Sequence, residues 1–361
     1  MMKAFFKMNK LAIGLGVCCA LLLVVLGQEV QTVSGMPQHE VVEAVLPAGT
    51  QPARNVILMI GDGMGAEHVW AAWLCNKGKL NIENLPITGF SRTPSASGTI
   101  TDSAAGGTAI ACGHKATNGQ LGITPKGEAL QSLLPRMAAT GRQTGLVVTK
   151  AITDATPASF YAHNKDRNAT REIVAELSAA GCRVVIGGGT EIVSPEQQAQ
   201  MKSAGTLLQL EGKEHCPPAS ERGEFLSQSV QLALDALQEH PQGFFLMVEG
   251  SRIDTASHDN DLAETVQETL DFDRAVGVVL RWMQKHPDTL LVVTADHQTG
   301  GLSILGGSRD KGEVKAAFST RRHSGVSVPV YATGAGAAAF TGVQENTELM
   351  PKILRAAGVN P

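Results

Sequence analysis

The chain has 361 residues, 43% of them hydrophobic and only 4% aromatic, enough to bury a sizeable core as one large domain or two small ones. A formal charge of −4 without any Lys/Arg cluster argues against a nucleic-acid partner. The 39 glycines predict many tight turns and close backbone approaches, as in α/β enzymes.

Residues 1–35 read as a leader. Lys3, Lys7 and Lys10 form a positive start, and an apolar run occupies 11–26. That pattern predicts a secretory signal, with a retained membrane anchor as the alternative. The expected location is therefore exported, periplasmic or extracellular. Residues 36–53, with Pro37, Pro47, Gly49 and Pro52, read as a linker, and 54–361 as a single folded domain. Beyond the leader remain Cys75, Cys112, Cys182 and Cys216, and in an exported chain Cys182 with Cys216 is the preferred disulfide.

Continuous apolar runs at 55–60, 145–149, 183–186, 244–248 and 289–294 predict strands buried on both faces. A weaker run at 328–332 holds Pro329, which suggests a sheet edge or a strand start. Helical patterns lie between them at 127–140, 170–180, 223–240, 260–286 and 346–357. The alternation predicts an α/β fold: a mostly parallel central sheet with helices on both faces.

Residues just beyond the strands carry the chemistry. Asp62 comes after the first run, Asp154 after the second, Glu249 and Asp254 after the fourth, and Asp296 and His297 after the fifth. In an open α/β sheet these strand ends share one crevice. Clustered carboxylates repel one another, so this set requires cations. Asp254 and His258 stand four apart, on one helix face, and Asp296-His297 adds a second mixed pair. Such nitrogen and oxygen donors suit zinc, whereas the oxygen-only set Asp62, Thr156 and Glu249 suits magnesium. The other histidines (39, 68, 114, 163, 215, 240, 286) read as surface or structural, and His323 is ambiguous alone. At residues 99–112 an extended approach gives way to small apolar residues, so a helix starts at Ser103. Ser103 is then either a cap or a nucleophile at an anion-binding helix start.

Five motifs occur in order: Gly61-Asp62-Gly63-Met64-Gly65, Thr101-Asp102-Ser103-Ala104-Ala105, Asp154-Ala155-Thr156-Pro157 with Arg167 beyond it, Val248-Glu249-Gly250 with Asp254 and His258, and Thr294-Ala295-Asp296-His297. Through them the chain resembles the alkaline phosphatases from about residue 55 to its end. The resemblance implies hydrolysis of phosphate monoesters through a phosphoserine at Ser103, with two Zn2+ and one Mg2+. Asp254, His258 and His323 would hold one zinc, Asp62, Asp296 and His297 the other, and Asp62, Thr156 and Glu249 the magnesium. Asp154 would act through the magnesium's waters, and Arg167, steadied by Asp102, would clamp the phosphate. The alternatives are a phosphodiesterase or sulfatase of the same superfamily, and a binding protein without catalysis. Two departures stand out. Thr255 occupies a place where many members carry Lys, His or Trp. Only 25 residues separate His297 from His323, where larger members insert a subdomain that helps form a homodimer.

Overall fold

The computed structural model describes residues 29–42 and 52–361; the leader's apolar run lies outside them. The strands are β1 (Gln31–Val33), β2 (Asn55–Gly61), β3 (Ile87–Arg92), β4 (Gln143–Ala151), β5 (Val184–Gly188), β6 (Leu207–Glu211) and β7 (Phe244–Gly250). After these come β8 (Thr289–Thr294), β9 (Gln298–Thr299), β10 (Leu302–Ser308), β11 (Glu313–Phe318), β12 (His323–Ser324), β13 (Val328–Gly334) and β14 (Gly342–Glu345). Nine of them form the central sheet in the order β14-β3-β13-β8-β2-β7-β4-β5-β6. All nine run parallel except β13, which is antiparallel to both β3 and β8.

β2 lies at the centre, and every residue in it is buried. Val56 pairs with Phe245 of β7 on one side and Leu290 of β8 on the other. A strand covered on both faces has no polar side to alternate with, hence its unbroken apolar run. One face of the sheet packs against helices Ala66–Cys75, Phe225–Leu237 and Leu262–Met283. The opposite face packs against Ser103–Cys112, Leu133–Ala138, Thr170–Ala179 and Leu349–Ala356. The α/β layering is therefore as the alternation predicts.

Several expectations are corrected. Residues 31–33, read as leader, form β1 and pair antiparallel with β11. The stretch read as a linker is partly pinned: Gln38 Nε2 donates to Cys75 O at 2.6 Å, and His39 Nε2 lies 2.7 Å from Asp273 Oδ2. The folded body thus begins before residue 36. Pro329 marks a strand start rather than an edge, since β13 is interior and its pairing with β8 begins only at Tyr331. The helix expected over 127–140 is confined to Leu133–Ala138.

The preferred disulfide is also corrected, because Cys182 and Cys216 are both free and buried. Cys182 precedes the start of β5, whereas Cys216 packs on Gly188 at its far end. At about 3.3 Å per strand residue they stand roughly 15–20 Å apart, far beyond disulfide reach. Cys75 and Cys112 are free too. A thiol reductant is therefore expected to leave the thermal unfolding midpoint unchanged; a fall of several degrees on reduction would contradict the free thiols.

Candidate active site and metal centre

The strand-end residues converge. Asp62 follows β2 in a turn whose next residue, Gly63, has φ +72°, a left-handed conformation that favours glycine, and a Cβ there would stand 2.6 Å from Thr299 Oγ1. Gly63 N donates to Asp296 Oδ1 at 3.2 Å, tying the β2 turn to the end of β8. The short ladder β9–β12 pairs Thr299 with His323 and so carries His323 to the same rim.

Two groups of donor atoms result, each with its atoms within 4.8 Å of one another: Asp254, His258 and His323, and Asp62, Asp296 and His297. In the first, His258 Nδ1 lies 2.6 Å from Arg321 O and His323 Nδ1 lies 2.8 Å from Thr101 O. A carbonyl only accepts, so both rings carry hydrogen on Nδ1. In the neutral rings both Nε2 atoms then present lone pairs, 3.1 Å apart and 3.2 and 3.4 Å from Asp254 Oδ1. Three lone-pair donors facing one another need a cation between them. Thr299 Oγ1 donates to Asp254 Oδ1 at 2.6 Å and orients that carboxylate. The second group adjoins the first, for the rings of His297 and His323 stack at 3.5 Å.

The oxygen-only set read from the sequence is also left unsatisfied. Thr156 Oγ1 and both carboxylate oxygens of Glu249 are buried without a hydrogen-bond partner in the protein. Unpaired buried oxygens of this kind are costly unless a cation or ordered water satisfies them.

The electrostatics show the same deficit of positive charge. Burial, then repulsion from Asp296 and Asp254, pushes the Asp62 carboxyl well above its usual range. Burial and Asp254 raise Asp296 to about 6, and burial with Asp154 raises Glu249 to about 8. Burial and the neighbouring His323 push His297 well down, leaving a neutral ligand-type imidazole.

Ser103 opens the helix Ser103–Cys112, but the cap is Asp102, whose Oδ1 accepts from Ala105 N at 3.0 Å. The serine hydroxyl is thereby left for other work. It lies 3.1 Å from His297 Nε2 and 3.5 Å from Asp62 Oδ1, in a residue only 4% exposed. The helix is glycine-rich because it packs tightly: a Cβ on Gly107 would stand 2.9 Å from Ser159 Oγ and 3.3 Å from the Cα of Thr156. Arg167 reaches across with Nη1 3.3 Å from Asp102 Oδ2 and Nη2 3.3 Å from Asp154 Oδ1. Contacts thus join Asp62, Ser103, Asp296 and His297 in one cluster, Asp254, His258 and His323 in the next, and Asp102, Arg167 and Asp154 in a chain beside them, while Thr255, on the helix Arg252–His258, brings no charge there.

One charged residue was missed. Lys150 directly follows the run 145–149 that reads as a buried strand, yet its ammonium lies 3.1 Å from Asp154 Oδ2 and 3.9 Å from Asp254 Oδ2. Burial opposes its charge, but Asp154, Asp254 and Asp62 hold the ammonium above its ordinary range. The available signal was a lone lysine four residues before Asp154 in an otherwise apolar strand.

Fold and site together define an α/β protein whose strand-end crevice sets a helix-start serine beside two metal-ligand clusters. The chain belongs to the alkaline phosphatase family: the family model described as Alkaline phosphatase matches residues 53–224 and 202–314. Alkaline phosphatase 4 of Bacillus subtilis is 34% identical over 70% of this chain and 62% of its own length. The streptomycin-6-phosphate phosphatase of Streptomyces griseus is 30% identical, over 86% of this chain and 92% of its own. Among solved structures, the alkaline phosphatase from the Antarctic bacterium TAB5 superposes with a TM-score of 0.80 at 33% identity, covering 87% of this chain and 100% of that one. The chain spans 62% of the length of the Bacillus subtilis relative and of the repressible alkaline phosphatase of Saccharomyces cerevisiae.

Proposed function

We propose that this protein hydrolyses phosphate monoesters through a phosphoserine formed at Ser103. The observation that carries the reading is the Ser103 hydroxyl, held at a helix start within 3.1 Å of His297 Nε2 and opposite an arginine braced by two carboxylates. The helix start turns free N–H groups toward an anion, and a phosphoryl group is the anion such a cradle suits.

The donor sets fit the family's metals. Asp254, His258 and His323 would hold one Zn2+ and Asp62, Asp296 and His297 the other, while Asp62, Thr156 and Glu249 would hold Mg2+. The orphaned oxygens of Thr156 and Glu249 support the oxygen-only site, and a TAB5 alkaline phosphatase variant has been solved with Mg bound in its M3 site. Bound there, the ions supply Lewis acidity and charge compensation to the reacting oxygens. The protein's own groups do the rest. Ser103 Oγ forms the new bond to phosphorus as the bond to the ester oxygen breaks, and water then cleaves the phosphoserine to release phosphate. Arg167 donates a planar pair of hydrogen bonds to phosphoryl oxygens, a task a lysine point charge cannot copy. Asp102 holds both the helix start and Arg167, which fixes the nucleophile relative to the clamp. The leader pattern supports export of this activity to the periplasm or cell exterior.

The test is turnover of a monoester, a diester and a sulfate ester by one metal-loaded sample, with elemental analysis expected to find about two zincs per chain. Monoester turnover is expected to exceed the other two by at least about 100-fold, since a second ester group collides with a bidentate clamp. Arg167→Ala is expected to cost monoester turnover about 100-fold and diester turnover far less. Equal losses on the two substrates would remove the clamp, and a diester preference in the unmodified protein would replace the reading with a phosphodiesterase.

A further inference from the structure

Lys150 stands outside every role assigned above, yet it is built into the site. The β4–β5 ladder pairs Val147 with Ile186 and next Ala151 with Gly188, so β4 carries extra residues between 147 and 151. A bulge of this kind re-aims side chains, and bulges concentrate beside active sites. Here the bulge contains Lys150, whose side chain is only 14% exposed. Its neighbours define the place. Val148 pairs in register with Glu249 of β7, and Asp154, four residues on, caps the helix bearing Thr156. The ammonium sits among the crevice carboxylates, 3.1 Å from Asp154 Oδ2 and 3.9 Å from Asp254 Oδ2, on the strand that pairs with the one ending in Glu249. The other oxygen of Asp154 lies 3.3 Å from Arg167 Nη2, so this carboxylate is clasped between two cations.

We propose that Lys150 is a built-in cation of the third site: a positioning residue that holds Asp154 and sets how tightly the site takes magnesium. The inference rests on the phosphomonoesterase reading for the existence of that site. A fixed positive charge beside a divalent-ion site weakens the ion's binding, and it competes with the ion's waters for Asp154. Charge balance agrees. Asp62, Asp102, Asp154, Glu249, Asp254 and Asp296 stand against Lys150 and Arg167, so two divalent ions already bring the crevice to neutrality. A third divalent ion therefore enters a site that no longer needs its charge.

The experiment uses the full zinc-loaded protein and its Lys150→Met, Lys150→Gln and Lys150→Arg variants. Magnesium binding is measured by equilibrium dialysis with elemental analysis, alongside zinc content and monoester turnover. Met and Gln are expected to tighten magnesium binding at least about tenfold, and Arg, which keeps the charge, to stay within about threefold of the parent. Binding unchanged or weakened in Met and Gln would overturn the proposal, as would failure of both variants to fold, which would make Lys150 a structural residue. Absent magnesium binding in parent and variants alike would also overturn it. The parent's zinc content and turnover test the phosphomonoesterase reading separately, so failure of one is not mistaken for failure of the other.

Discussion

Ser103→Ala is expected to lower monoester turnover at least about 1,000-fold while leaving zinc content and thermal midpoint close to the parent's. The argument lies in the division of labour at the helix start. Asp102 caps Ala105 N, so Ser103 owes the helix nothing through its side chain, and alanine is a good residue in the first turn. The hydrogen-bonding neighbours of the hydroxyl are His297 and Asp62, both members of the metal-ligand groups. Its removal therefore deletes the proposed nucleophile without deleting a bond that caps the helix. Steady-state rates on a chromogenic monoester, with elemental analysis of the same sample, make the check. Near-parental activity would end the nucleophile assignment.

Chelation is expected to abolish turnover and to make stability fall as pH rises. Without ions, Asp62, Asp296 and Glu249 are held above the usual carboxylate range, Asp296 at about 6 and Glu249 at about 8. The unfolded chain ionises them near pH 4, so above that the folded state binds more protons than the unfolded one, and stability declines with rising pH. His258, raised by its bond to Asp254, and His323, raised by the same carboxylate against the effect of burial, lose their contribution in the same direction. Asp154, held at about 2 by Lys150 and Arg167 in spite of burial, loses its contribution only in acid, outside this window. The thermal midpoint of chelated protein is expected to be at least about 5 °C lower at pH 9 than at pH 6. Zinc and magnesium should remove most of that difference. A midpoint that rises with pH after chelation would contradict the assigned carboxylate crowding.

The central strands were legible because burial on both faces leaves an apolar signature that no surface constraint dilutes, as in β2 and β8. The outer strands were not. β3 alternates buried and exposed residues and carries Thr88, Gly89 and Ser91, while β6 has no fully buried residue. Their existence depends on neighbours rather than on their own pattern. The site was legible from the convergence of strand ends, which topology guarantees once the sheet is parallel. Lys150 was missed because its spacing to Asp154 gains meaning only from the bulge in β4, which turns it inward. The disulfide expectation failed for a related reason: spacing along the chain does not say at which end of β5 each cysteine lies.

The two histidines of the Asp254 group are anchored by main-chain atoms: the carbonyls of Thr101 and Arg321 set the proton positions on His323 and His258. No point substitution deletes a carbonyl. Positions 101 and 321 can therefore drift in sequence while the histidines keep their tautomers, which makes the orientation of the two rings robust to mutation where it looks most dependent. Thr101 also lies two residues before Ser103. The same stretch of backbone thus registers the serine against the histidine, and this alignment is inherited through chain geometry rather than through side-chain identity.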